Sequence, residues 1–241
     1  MTQTSPAAPR PHEPGSRRTL SSLAEVVAAR VRSLQHQYRH DDRHAVASLA
    51  RLRRATGTGP GEDPQAWAET LRVIGAEHFG TGSEWSTEEW AAHVALTLFA
   101  THQQSHRNDG MHVANRSFGH VVRRLADLQG GEDDEGSRPI QRRFEALATS
   151  SGPDEIVHHA RSIVGQLRSE SVALDYGRLT DDLVGLRDPS RAPSVRLAWG
   201  RDYYRTIPDN VPPPNPDQGD PYEPLPRPAR PAVRPSQQRE S

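Results

Sequence analysis

The 241 residues are 33% hydrophobic and 25% charged with a formal net charge of -1, a make-up that suits a soluble globular protein and not a membrane or fibrous one. There is no cysteine, which excludes disulfides, thiolate catalysis and cysteine-based zinc sites. There is no lysine either, so all 30 strong cations are arginines.

The opening stretch MTQTSPAAPRPHEPGSRR has no apolar core of the kind a signal peptide needs. The longest apolar stretch, WAAHVALTLFA (90–100), contains His93 and is too short to cross a bilayer. A cytoplasmic chain without membrane contact is expected. Of the 21 prolines, 4 lie in residues 1–18 and 11 in residues 208–241. Proline removes a backbone donor, and these stretches have little apolar surface to bury, so both ends are expected to be disordered. The expected plan is a tail at 1–18, an all-helical domain at 19–207 and a proline-rich tail at 208–241.

The segment VASLARLRRATGTGPGEDP (46–64) ends in a glycine and proline loop. On a helix turning about 100° per residue, Leu49 and Leu52 face one way. Arg43, Arg51 and Arg54 fall within an arc of roughly 80° on the other side, over about 16 Å of axis. Arg53 sits at the edge of the apolar face, where its stem can cover that face. Asp41 or Asp42 is placed to cap this helix. The next segment, DPQAWAETLRVIGAEHF, has Asp63 as N-cap and Pro64 at the first helical position, and is expected to run as one helix. Ser86 and Glu89 form a capping box before an apolar run that reads as a central, buried helix. Phe118, Val121, Val122, Leu125 and Leu128 recur at helical spacing, as do Ile156, Ala160, Ile163, Val164 and Leu167, and then Leu179, Leu183 and Leu186. RPIQRRFEAL places Arg138 and Arg142 one turn apart with Arg143 beside them. The pattern predicts an all-α fold, a helical bundle of about eight or nine helices, with no sheet. The loops at 105–114 and 129–138 offer a division into two packed sub-bundles.

Charge is segregated along this framework. Residues 62–89 hold seven acids and one arginine, whereas residues 43–61 hold four arginines and no acid. Residues 91–126 hold four arginines and five histidines against Asp109. Such blocks can attract a polyanion although the whole chain is nearly neutral. Arg116, His120 and Arg123 share a helix face with Arg124 beside them, and Asp127 is placed to neutralise part of it. By pattern alone these arginines are either solvated helix faces or a surface for a polyanion.

The order LARLRRA…P (49–60), EWAAHVALTLFATHQ (89–103), RRFEALATS (142–150), LDYGRLTDDL (174–183) and VRLAWGRDYY (195–204) resembles the small-subunit family of the type I-E Cascade complex, also called CasB. The resemblance covers roughly residues 20–207, and the acidic loop GGEDDEGS (130–137) looks like a variable insertion. It implies an all-α, non-enzymatic subunit without cofactor or metal, present in two copies in a guide-loaded CRISPR surveillance complex. The implied partners are the backbone and large subunits, a second copy of the chain, the guide crRNA, and the target and displaced DNA strands. By motif match, the resemblance assigns nucleic-acid contacts to Arg51, Arg53, Arg54, Arg142 and Arg143. The charge map adds Arg43, Arg107, Arg116, Arg123 and Arg124. Trp199 and Tyr203, four apart, are expected to anchor the last helix, with Leu174, Tyr176 and Leu179 in the core and Asp175 as a helix cap.

Three other readings stand beside this one. RNDGMH (107–112) matches the arginine–histidine pattern of HEPN helical ribonucleases, with Arg107 and His112 acting on the scissile phosphate; Gly110, however, points to a loop. HQYRHDD (36–42) contains a His-Asp pair of the metal-phosphohydrolase kind, and His102 and His106 lie one turn apart, without a full ligand set. The third is a helical scaffold that binds only protein.

Overall fold

Helix caps set the architecture. The structure, a computed structural model, describes residues 19–130 and 138–205, except for the side chain of Arg138. The tails and the acidic loop therefore lie outside the described residues. Nine α-helices appear among these residues: α1 (Ser22–Arg39), α2 (Arg43–Arg54), α3 (Pro64–Leu71), α4 (Thr87–His102), α5 (Phe118–Leu128), α6 (Arg138–Thr149), α7 (Pro153–Ser169), α8 (Tyr176–Arg187) and α9 (Ala192–Tyr204). No strand occurs among the described residues; a single bridge pairs His112 with Leu174. None of the described helices is long and apolar enough to cross a membrane.

The caps fall where side-chain oxygens can take the orphan amides of a first turn. Asp42 accepts from Ala45, Asp63 from Gln65 and Ala66, and Asp175 from Gly177 and Arg178. Ser86 and Glu89 close the expected capping box, and the Glu89 carboxylate also accepts from the Gly80 amide at 2.8 Å. Ser21 caps α1 and bonds to Asp181 of α8, which ties the start of the chain to a distant helix.

α4 is the axis of the bundle, packed against α1, α2, α3, α7 and α8. All its residues but Thr87, Glu88 and Thr101 are buried, as its nearly all-round apolar sequence predicts. α5, α6 and α9 meet in an aromatic cluster: the Phe118 and Trp199 ring centroids are 4.8 Å apart, and those of Phe144 and Tyr203 are 5.2 Å apart. Tyr176 is fully buried, edge-on to Phe99 at 5.3 Å. Aromatic pairs at such spacings add specific geometry to area burial.

Three expectations need correction. The segment after Asp63 is not one helix: α3 ends at Leu71, and after a turn a single 3₁₀ turn follows at Ala76–His78. The chain must turn there to bury Ile74, and Gly75 lies in extended backbone before the 3₁₀ turn. Leu128, placed on the apolar face of α5, is half exposed because it is the helix's last residue. The described residues form one compact unit rather than two sub-bundles. The 105–114 loop is stapled into it, with buried Gln103 donating to the carbonyls of His106 and Asp109 and accepting from the Met111 amide.

Candidate nucleic-acid interface

α2 turns Leu49 and Leu52 into the core and leaves its arginines at the surface. Each arginine of the stripe has a different environment. Arg43 is exposed at the first turn, beside the Asp42 cap. The Ala45 amide holds the Asp42 carboxyl below the usual carboxylate range, with further help from neighbouring charges. Arg51 reaches across to Glu69 of α3, Nη1 to Oε1, at 2.9 Å. Arg54 donates from Nη2 to Gln65 Oε1 at 2.8 Å. Arg53 is half-buried, in keeping with its place at the edge of the apolar face.

Glu69 was not among the residues the sequence singled out, although it is the centre of this group. Its carboxylate is buried; it accepts from Arg30 of α1 at 3.3 Å and Ser48 of α2 at 3.1 Å, besides Arg51, and forms an ion pair with Arg72, just after α3, at 3.4 Å. One signal could have found it: Glu69 lies three residues after Ala66, on the face that α3 buries.

A second group of cations lies on and around α5. Arg116 is exposed, and partial burial of its guanidinium, then the charge of Arg124, lowers its pKa from the ordinary arginine value. Two guanidiniums close enough to repel concentrate positive charge locally. Arg123 pairs with Asp127 at 2.8 Å, as the spacing predicts, and its guanidinium lies 5.9 Å from the Tyr203 ring centroid. On α6, Arg142 is exposed and Arg143 half-buried. Arg107 lies in the stapled loop over the Tyr38 ring at 4.2 Å, pairs with Asp41 and donates to the Tyr38 carbonyl.

His112 has little access to a substrate. It is buried, and its Nδ1 accepts the Tyr176 amide at 3.1 Å, which fixes the neutral tautomer. Burial pushes its pKa down to about 4, against the opposing charge of Asp175. His102 shares a hydrogen bond with the Tyr176 hydroxyl at 2.9 Å, and burial lowers it to about 3. His106 instead faces the Arg168 carbonyl at 3.0 Å. His36 and His40 lie with ring centroids 4.3 Å apart, while Asp42 caps α2. Among the described residues no group of three or more histidines, aspartates or glutamates is arranged to hold a metal ion.

Fold and charge together define an all-α protein with a filled core and arginines gathered at helix surfaces. The chain belongs to the CRISPR-associated protein Cse2 family, whose model matches residues 48–204. It is similar to CasB from Thermobifida fusca, known from a crystal structure, with 34% identity over 78% of this chain and 100% of that chain, at a TM-score of 0.65. A chain of a CRISPR RNA-guided surveillance complex shares the fold at 23% identity, covering 74% of this chain and 94% of that one, with a TM-score of 0.53. No curated protein matches the chain.

Proposed function

We propose that this protein is a non-catalytic, nucleic-acid-binding subunit of a cytoplasmic CRISPR interference (Cascade) complex. In that role it steadies the guide RNA–target DNA heteroduplex and the displaced strand of the R-loop. Its partners are the backbone and large subunits, a second copy of itself, the crRNA and the two DNA strands. The observation that carries the reading is family membership, with likeness to CasB along that protein's whole length.

The chemistry is in keeping with it. Exchanging a DNA duplex for a guide–target heteroduplex is close to neutral in free energy, so modest backbone contacts can tip it. A subunit that serves any guide must bind without reading sequence, and arginines on phosphates do that. Arg43, Arg51, Arg53, Arg54, Arg107, Arg116, Arg123, Arg124, Arg142 and Arg143 are the proposed contacts.

The test adds this chain to guide-loaded Cascade from the same source, purified without its small subunit. R-loop formation on a matched target is then measured. Wild type restores R-loops in this reading, and the Arg51→Ala, Arg54→Ala double variant restores them poorly on every target sequence. Failure of the wild type refutes the reading.

A further inference from the structure

The junction of α1, α2 and α3 holds more positive charge than its structure needs. Glu69 is 3% exposed, and a buried carboxylate needs a cationic partner and hydrogen bonds to offset its lost hydration. One arginine and the Ser48 hydroxyl would meet that need. Three arginines are present instead, one from each of α1 and α2 and one at the end of α3. Together they leave two positive charges uncompensated by Glu69.

Those charges are not sealed in. The side chains of Arg30, Arg51 and Arg72 are 29%, 39% and 69% exposed, while the carboxylate beneath them is covered. A guanidinium carries five donors and no acceptor, so a single contact apiece with Glu69 leaves most donors open to a further anion. Three like charges drawn to one carboxylate also repel each other, and a second anion relieves that repulsion.

We propose that Arg30, Arg51 and Arg72 form one site for a backbone phosphate of nucleic acid, with Glu69 as the residue that positions them. This rests on the nucleic-acid-binding reading above and adds Arg30 and Arg72 to it, two residues from outside the stripe. Glu69 lowers the ordering cost of three long side chains before the phosphate arrives. Arg72 is the outermost member and has the smallest part in packing.

The test measures binding of the full chain to a fluorescein-labelled single-stranded DNA of mixed sequence, by anisotropy across a salt series, with the thermal midpoint of each variant alongside. Arg72→Ala lowers the slope of log affinity against log salt by about 0.7, close to a fivefold loss at 0.1 M salt. Its thermal midpoint stays at the wild-type value, and Arg72→Lys recovers the slope. Arg30→Ala lowers the slope by a similar amount. Glu69→Gln lowers affinity although it adds a unit of positive charge, because the arginines lose their common anchor. Should Glu69→Gln fail to fold, Arg72→Ala and Arg72→Lys decide the matter alone. If the wild type binds but Arg72→Ala and Arg30→Ala keep its slope, the site is refuted and the nucleic-acid reading stands. Higher affinity in Glu69→Gln refutes the positioning role. If the wild type shows no salt-dependent binding, both readings fall.

Discussion

His112 accepts the Tyr176 backbone amide on Nδ1 at 3.1 Å, while Gln35 clasps the His112 backbone by donating to its carbonyl and accepting from its amide. The histidine thus joins the loop after α4 to the start of α8, where Asp175 takes the Asn115 amide at 2.7 Å. Its Nδ1 is used for holding the chain. His112→Ala leaves a buried amide without its acceptor, which costs about 1–3 kcal/mol. Urea unfolding should show that loss, and wild type incubated with single-stranded RNA should leave it intact. Cleavage that disappears in His112→Ala would assign the residue to catalysis instead.

Acid should destabilise the fold before carboxylate chemistry explains it. Burial lowers His93 to about 4, His102 to about 3 and His112 to about 4, whereas unfolded histidine titrates near 6.5. Depressed histidines are neutral when folded, so between those values the unfolded chain binds more protons. Their contribution is fully present above pH 6.5 and is lost as pH falls toward 4. Each contributes up to about 1.4 kcal/mol per pH unit in that window. Unfolding free energies measured at pH 7.5, 6.5 and 5.5 should fall modestly, by about 1 kcal/mol, between the first two and more steeply to the third. His93→Gln should reduce the dependence, and a flat profile would show that these rings are hydrated.

Two glycines on packed helices should respond with opposite signs. Alanine favours a helix over glycine by roughly 0.5–1 kcal/mol where space allows. At Gly165, within α7, no side chain or neighbouring element lies within 4 Å of the position a Cβ would take, so Gly165→Ala should stabilise by about that amount. At Gly119 of α5 the same Cβ would overlap the backbone carbonyl of Trp199, which cannot swing away as a side chain can. Gly119→Ala must therefore part α5 from α9, at a cost of about 1–3 kcal/mol or more. Thermal unfolding of the two variants checks the contrast, and a stable Gly119→Ala would mean that the α5–α9 contact is loose.

Local chemistry was legible from the sequence where one residue decides the outcome. Asp63, Ser86 and Asp175 cap helices because a short acceptor before an apolar run has few other uses. Trp199 and Tyr203 are buried as their spacing requires, and Trp199 also donates to buried Asp182 at 2.7 Å, a bond that spacing cannot show. α3 was misjudged because Val73 and Ile74 continue the apolar pattern after the chain has turned. Glu69, with Arg30 and Arg72, was missed for a different reason. Its meaning comes from three elements meeting in space, and a single glutamate within an acidic block looks solvated. The histidines of RNDGMH and of α4 look catalytic or metal-binding in sequence because nothing local reveals that they are buried.

The proposed arginines should also separate by what already holds them. Arg107 is engaged by the Tyr38 ring, the Tyr38 carbonyl and Asp41, a set of contacts that ties the stapled loop to the end of α1. Arg142 stands exposed on α6, within the segment matched by the family. Arg107→Ala should therefore lower the thermal midpoint, since a partly exposed cation–π contact and a lost charged hydrogen bond together are worth about 1–2 kcal/mol. Arg142→Ala should stay within about 0.5 kcal/mol of wild type, as surface substitutions usually do. R-loop assays on the reconstituted complex should rank them in the reverse order, with Arg142→Ala the weaker and its loss shrinking as salt rises. Arg107→Ala with wild-type stability but no R-loops would overturn that ranking, because it would show that the contact of Arg107 with nucleic acid outweighs its hold on Tyr38 and Asp41.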